Sequence, residues 1–353
     1  MKLSHLGSVA LITLLSAYPV GAADLGGNCC SDLEERVAEL EATTARKGNR
    51  KQILIVYGQV NKSIIHFKLD DEDDTRVIDN PNSGSRFGFR GEAKVNSKLT
   101  VGFKLEIGAN ENSVEFADDS ISIRYSEVYA KGEFGKLSLG QGEFAGDGAA
   151  ETNLGGTSAS TLLSLGPIDS VYFGGALSPF DSGRGQRVRY DTPTMGGFVL
   201  SAAWGASDEI DADDVWDAAL RYANEFGNVR LAAAIAYRDE GDNTSLFGSA
   251  SVMEMKSGLF LSGAYGRYDI AGVSTDLDAW HIQGGMQKKI NSLGASTFYL
   301  EYAKADEIDL EFFGVGFSQN IDAVASELYV GARFYDVDGE DAMSILGGMK
   351  IRF

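Results

Sequence analysis

Little in this chain could staple one part of it to another. Of 353 residues only two are cysteine, and they are neighbours, Cys29 and Cys30. Adjacent cysteines rarely bridge each other, and no third exists, so a disulfide-framed secreted fold is excluded. A lipid-anchored cysteine is excluded too, because Gly26, Gly27 and Asn28 stand where an acylation signal needs a leucine. Proline is scarce, 5 against 43 glycines. Histidine is scarcer still: His5 lies in the leader, which leaves His66 and His281, with no serine or paired-aspartate arrangement around either. General acid–base catalysis has little to be built from, and no catalytic residue, cofactor or metal site is expected. Basic residues number 31 against 51 acidic ones, a net charge of −20, which argues against nucleic acid or anionic phospholipid as the main partner. No later stretch approaches 18 consecutive apolar residues, so no membrane-spanning helix is expected.

What is present starts with a leader. Lys2, an apolar run from Val9 to Leu15, Pro19 and the small residues Val20, Gly21 and Ala22 read as a secretory signal over 1–22, cleaved near Ala22 or Ala23. Residues 23–51 follow as a periplasmic helix and basic linker. Within them 31–46 reads as a short helix: Ser31 and Glu34 form a capping box, and Leu33, Val37, Leu40 and Thr44 repeat at coiled-coil spacing. Such a helix is marginal alone, so it is either an oligomeric stalk or a solvated amphipathic linker.

From 52 to 353 the period changes to two. In the last stretch Met343, Ile345, Met349, Ile351 and Phe353 fall on one face and Ser344, Lys350 and Arg352 on the other. Similar alternation, punctuated by Gly, Asn, Asp and Pro, gives sixteen strands. Their connections alternate in length: 68–84, 109–120 and 143–183 are long, whereas Asn96-Ser97, Glu133-Phe134 and Pro193-Thr194 are tight. Acid gathers in the long set, with Asp70, Asp71, Glu72, Asp73 and Asp74 in the first. That run could collect Ca²⁺, but it lacks the spacing and turn glycine of an EF-hand, so a solvated loop is expected. A soluble sandwich has no reason to sort charge and length together; an outer-membrane barrel, with long outer loops and short periplasmic turns, does. The expected fold is all-β, a sixteen-stranded antiparallel transmembrane β-barrel over 52–353 in the cell outer membrane, preceded by the short helix.

Residues 124–141 (RYSEVYAKGEFGKLSLGQ) and 186–205 (QRVRYDTPTMGGFVLSAAWG) carry a resemblance. The first resembles the aromatic strand, Gly-x-Phe-Gly turn and following strand of the general-diffusion porins of Gram-negative bacteria. The second resembles that family's Thr-Pro-x-x-x-Gly-Phe hairpin. The cysteine-containing helix with a basic linker is similar to the alphaproteobacterial branch, while Gln141 departs from the basic residue many relatives carry. The resemblance implies a homotrimer in outer-membrane lipid, a third loop folded into the pore, and a terminal Phe353 read by the barrel assembly machinery.

A link as long as 143–183 is usually functional, and it corresponds to that inward loop. Its carboxylates, Glu143, Asp147, Glu151 and Asp169, are the expected acidic side of a pore constriction. Alternation and resemblance together put Arg86, Arg90, Lys104 and Arg124 across the lumen, joined by Arg187 and Arg189. Acid facing base across a water-filled slit would orient small hydrophilic solutes and ions, with a modest preference for cations. Glu127 resists the scheme, because it falls outward if Ile123, Tyr125 and Tyr129 do. Either a bulge re-aims it or the strand meets a neighbouring subunit, and the subunit contact is the favoured expectation. The functional reading is a passive channel; the alternatives are a channel dedicated to one substrate and, behind it, a barrel enzyme.

Overall fold

The period-two segments become strands almost throughout. The computed structural model describes residues 52–69, 72–110, 120–157, 180–205, 214–269, 271–272, 276–307 and 309–353. The leader, the expected helix 31–46 and its linker lie outside the described residues. In chain order the first strands are β1 (Gln52–Leu69), β2 (Glu72–Asp79), β3 (Arg86–Lys94), β4 (Leu99–Asn110), β5 (Ser120–Gly132) and β6 (Gly135–Glu143). Beyond the long connection come β7 (Arg184–Asp191), β8 (Phe198–Gly205), β9 (Val215–Phe226), β10 (Val229–Glu240) and β11 (Asn243–Glu254). The series ends with β12 (Leu259–Asp269), β13 (Leu277–Lys288), β14 (Ser296–Ala305), β15 (Leu310–Ile321), β16 (Ser326–Val337) and β17 (Glu340–Arg352).

Except between β2 and β3, which both pair with β1, each strand pairs antiparallel with its successor, and β17 returns to pair with β1 from Gln59↔Arg352 to Leu69↔Ala342, which closes the sheet. The second half of β1 pairs with β2 and the first half with β3, so β2 and β3 are two parts of one barrel strand. The closed ring therefore has sixteen positions. Closure leaves no free edge, the condition for a sheet to stand in hydrocarbon.

Two expectations need correction here. The acidic stretch 68–84 is mostly strand and not loop, because β2 continues the hairpin with β1. Ile78 is buried near Ile65 and Phe67, and Asp79 is buried and accepts from the Ser85 amide at 2.7 Å, while Asp73 is exposed and Asp74 half-exposed. Asn80 to Ser85 then oppose only Val60 and Asn61 and make a tight turn at Pro81–Ser83. Its exposed carbonyls are met from the wall: Gln59 Nε2 donates to the Ser83 carbonyl at 2.7 Å and Asn61 Nδ2 to the same oxygen at 3.0 Å. The second correction concerns Glu127. The ladder between β4 and β5 shifts register between Glu106 and Ile107, leaving Arg124 as the extra residue. Ile121 and Ile123 point outward, but Tyr125, Glu127 and Tyr129 point inward. A bulge re-aims the strand, and the subunit contact offered for Glu127 falls away.

Burial alternates along the strands. Leu220, Ile235, Leu261, Leu300 and Val330 are exposed, while their neighbours Ala219, Ala234, Ser262, Tyr299 and Tyr329 are buried. The apolar face is outside, the arrangement lipid requires. Trp204 and Trp216 are register partners and both exposed toward the loop end. Phe198 and Tyr222, 4.4 Å apart, lie near the turn end with exposed Phe134, Phe226 and Phe353. Phe353 is not frayed: it exchanges backbone hydrogen bonds with Gly58, 3.0 and 3.1 Å, and its ring lies over the place a Gly58 side chain would take.

Candidate functional site

The inner wall of β9 to β14 is built from small residues. Ala219, Ala234, Ala236, Ala264, Ala279 and Ala303 are all buried, and their short side chains leave room for a second layer of chain. Residues 144–157 fill it. Ala145, Ala149 and Ala150 are almost fully buried, and the backbone there finds partners on successive strands. Asp217 of β9 accepts from the amides of Ala145 (3.0 Å) and Gly146 (2.6 Å). On β11, Ser249 Oγ accepts from the Thr152 amide at 2.9 Å and donates to the Ala149 carbonyl, while Ser251 Oγ accepts from the Leu154 amide. On β13, Gln287 donates to the Gly155 carbonyl at 2.7 Å, and Gln283 accepts from Asn153 Nδ2 at 2.6 Å.

Gln283 is held in turn by a buried charge network. Glu301 accepts from Arg333 Nε at 2.7 Å and from Gln283 Nε2 at 3.3 Å, and lies 3.1 Å from His281 Nε2. A buried carboxylate is tolerable only when paired and hydrogen-bonded, and here the pairing also fixes the side chain that receives the loop. The returning arm is held as well: Phe180 packs where a side chain on Gly266 would stand, and Arg238 donates to the Ser182 carbonyl.

Charged groups gather where the chain leaves β6. Arg184 opposes Glu143 across the β6–β7 ladder and binds it at 3.1 Å, with Asp147 at 3.6 Å. Glu151 lies one turn further along and keeps an exposed face. Asp181 of the returning arm accepts from the Gly148 amide at 3.1 Å and the Gly183 amide at 3.3 Å. Beside these acids stand the bases of β3, β4 and β5. Lys104 sits 3.0 Å from the centre of the Tyr125 ring and 3.8 Å from Glu106, to which Arg124 Nε donates at 2.7 Å. Tyr57 also donates to Glu106, at 2.9 Å, and Arg86 has Arg124 and Glu106 as charged neighbours.

The other expected site residues are placed differently. Arg90 lies over the Tyr57 ring at 5.5 Å. Arg187 is buried, bound to Glu127 and to the carbonyls of Gly140 and Glu143. Arg189 pairs with Asp191 and donates to the Phe144 carbonyl at 2.6 Å. Both therefore brace the start of the loop from beneath. Asp169 lies outside the described residues.

The profile of the Gram-negative porin family matches residues 54–340. The chain belongs to that family. Membership places the porin in the Gram-negative outer membrane. Among curated relatives it is 27% identical over 180 residues to a chitoporin of Vibrio furnissii, covering 49% of this chain and 45% of that one. The chain spans about half the length of the curated relatives it matches. Among solved structures it is similar to an anion-selective porin from Comamonas acidovorans, with a TM-score of 0.62, 15% identity and coverage of 86% of this chain and 100% of that one. The in-vitro folded OmpT of Vibrio cholerae in its trimer form aligns with a TM-score of 0.60 at 15% identity, covering 86% and 99%.

Sequence reading missed four contributors to the site of this porin: Arg184, Arg238, Glu106 and Asp181. Arg184 is out of phase with Arg187 and Arg189, so alternation gave no reason to include it. Arg238 sits on the inner face of β10, and the Val229 to Tyr237 alternation carried the only signal for it. The loop carboxylates are electrostatically crowded. Enclosure by protein, then Glu143 and Asp181, push Asp147 well above the ordinary carboxylate range. Enclosure followed by Asp181 raises Glu151 to about 7, against the opposing pull of Arg184. Enclosure raises Asp181 too, with its two amide donors pulling the other way.

Proposed function

We propose that the protein is a passive, water-filled channel of the outer membrane for small hydrophilic solutes and ions, not an enzyme, with the charged belt around Glu143, Asp147 and Glu151 as its constriction. One observation carries this reading: residues 144–157 are tied to the inner wall by hydrogen bonds to β9, β11 and β13, and Arg184 links Asp147 to Glu143, which has Lys104 as a charged neighbour. Crowded like charges next to fixed bases form a field across any water path that passes them. The acidic belt favours a modest cation preference, in contrast to the structural relative named as anion-selective. The trimer form of the OmpT relative supports assembly as a homotrimer, and the cysteine pair, the expected helix 31–46 and its basic linker support an alphaproteobacterial branch.

Purified protein in a planar bilayer tests the channel directly. Stepwise conductance increments are expected, and a protein that inserts without conducting would end the proposal. The segment 31–46, read as a helix from its sequence, is expected to strengthen the trimer through Leu33, Val37 and Leu40, so its deletion should lower the melting temperature of the trimer. An unchanged melting temperature would leave it a linker. The relative named chitoporin favours a second reading, a channel dedicated to one solute. Current that saturates with a single soluble candidate and not with others of its size would select that reading.

A further inference from the structure

A recess opens between the returning arm of the long connection and the inner wall, sharing Asp181 and Arg184 with the charged belt. Its volume is about 270 Å³, and it is lined by Asp181, Ser182, Arg184, Arg238, Glu240 and Tyr268 with short backbone stretches between them. Two guanidinium groups and two carboxylates share this one space, so the lining is formally neutral while carrying both signs. Arg238 spends one terminal nitrogen on Glu240 at 3.0 Å and another on the Ser182 carbonyl. Arg184 spends Nη2 on Glu143, and its Nε is shut from solvent with no acceptor among the described residues. An Arg fork carries five donors, and a buried donor without a partner is uncommon in a finished structure. Glu240 keeps its carboxylate substantially exposed beside Arg238.

We propose that this recess is a transient binding site for small zwitterionic solutes of the amino-acid class, resting on the channel reading above. A solute carboxylate would take Arg184 Nη1, which has no bond among the described residues, and the second hydrogens on the terminal nitrogens of Arg238, each of which carries two. Its ammonium group would meet Glu240 and Asp181. A purely anionic solute would gain the first contact and meet two carboxylates, and a cationic one would gain the second and meet two guanidinium groups. Only a molecule carrying both charges matches a neutral lining of both signs, and like charges brought together carry a penalty that sharpens the choice. Binding has to be weak for the solute to leave again.

Liposomes loaded with the full-length protein test this through influx of labelled glutamine, with xylitol as an uncharged reference measured through the same protein. Glutamine influx is expected to saturate with concentration while xylitol influx stays linear. Propylammonium and propionate should compete poorly against glutamine. Expressed as the ratio to xylitol, which cancels any change in pore width, Glu240→Gln should raise the half-saturating concentration of glutamine by about tenfold, the worth of one charge-assisted contact. Arg238→Gln should do the same. Linear glutamine influx, equal competition by the singly charged solutes, or an unchanged half-saturation in Glu240→Gln would each overturn the inference while leaving the channel standing. Entry of neither glutamine nor xylitol would overturn the channel reading and the inference with it.

Discussion

Asp217 shows what a single inward side chain settles in this barrel. Its two carboxylate oxygens accept from consecutive amides of Ala145 and Gly146, which otherwise have no strand to pair with. Asp217→Ala should orphan both donors, at a cost of about 1–3 kcal/mol for each before lumen water recovers part of it. The strand ladder is untouched, so the expected result is a barrel that melts as before and a single-channel current with more flicker. A quiet current would mean the serine and glutamine anchors suffice. Titration offers a second residue-scale prediction. Asp147 and Glu151 are raised above ordinary carboxylates, Glu151 to about 7. A carboxyl is neutral below its pKa and anionic above it, so lowering pH from 8 to 6 should remove negative charge from the belt and weaken cation preference. Reversal potentials across a fixed salt gradient read this out, and a preference flat across that range would place the two acids away from the ion path. Strand alternation puts Asp217 on the face opposite Trp216 and Ala218 but holds nothing about its partners, the first of which, Ala145, comes from 72 residues earlier. A contact of that span is set by closure of the barrel and not by local pattern.

At the scale of elements, the terminal strand was the most legible feature, since its alternation continued to the last residue and the structure pairs that residue with Gly58. A side chain on Gly58 would collide with the Phe353 ring and with the Arg86 carbonyl. Gly58→Val should therefore lower the yield of folded barrel, and deletion of Phe353 should lower it further, because the β1–β17 seam then loses both its last ladder pair and its aromatic cover. Heat-modifiable mobility on gels measures the folded fraction, and surface levels unchanged in the deletion would show that the seam closes without Phe353. Two elements were illegible for opposite reasons. A one-residue bulge at Arg124 reversed the phase of everything after it in β5, so a reading that assumed unbroken alternation sent Tyr125, Glu127 and Tyr129 to the wrong face. In β2 the acids hid a strand: charge density suggested a loop, yet Thr75, Val77 and Ile78 suit a hairpin that stands clear of the lipid.

Across the whole molecule, the sum of charge and its location give different answers about ions. The chain carries −20, and by total alone it should strongly favour cations. Charge outside the pore is screened within roughly 8 Å at physiological salt, so acids on the raised hairpin of β1 and β2 act weakly on an ion deep inside. Near the belt the balance is closer: Lys104, Arg124, Arg86 and Arg184 stand against Glu106, Glu143, Asp147 and Glu151. With all four carboxylates ionised the near field is almost even, and on the proposed reading the acidic surroundings are expected to tip it only modestly toward cations. Raising ionic strength should shrink the preference, because the contribution that tips it is the screened one. The combined substitution Asp147→Asn and Glu151→Gln should weaken or reverse it at every salt concentration, because it alters the unscreened part. Reversal potentials at low and high salt separate the two contributions. Marked anion preference in the unmodified protein, or indifference to the double substitution, would mean that ions pass by a route these carboxylates do not line.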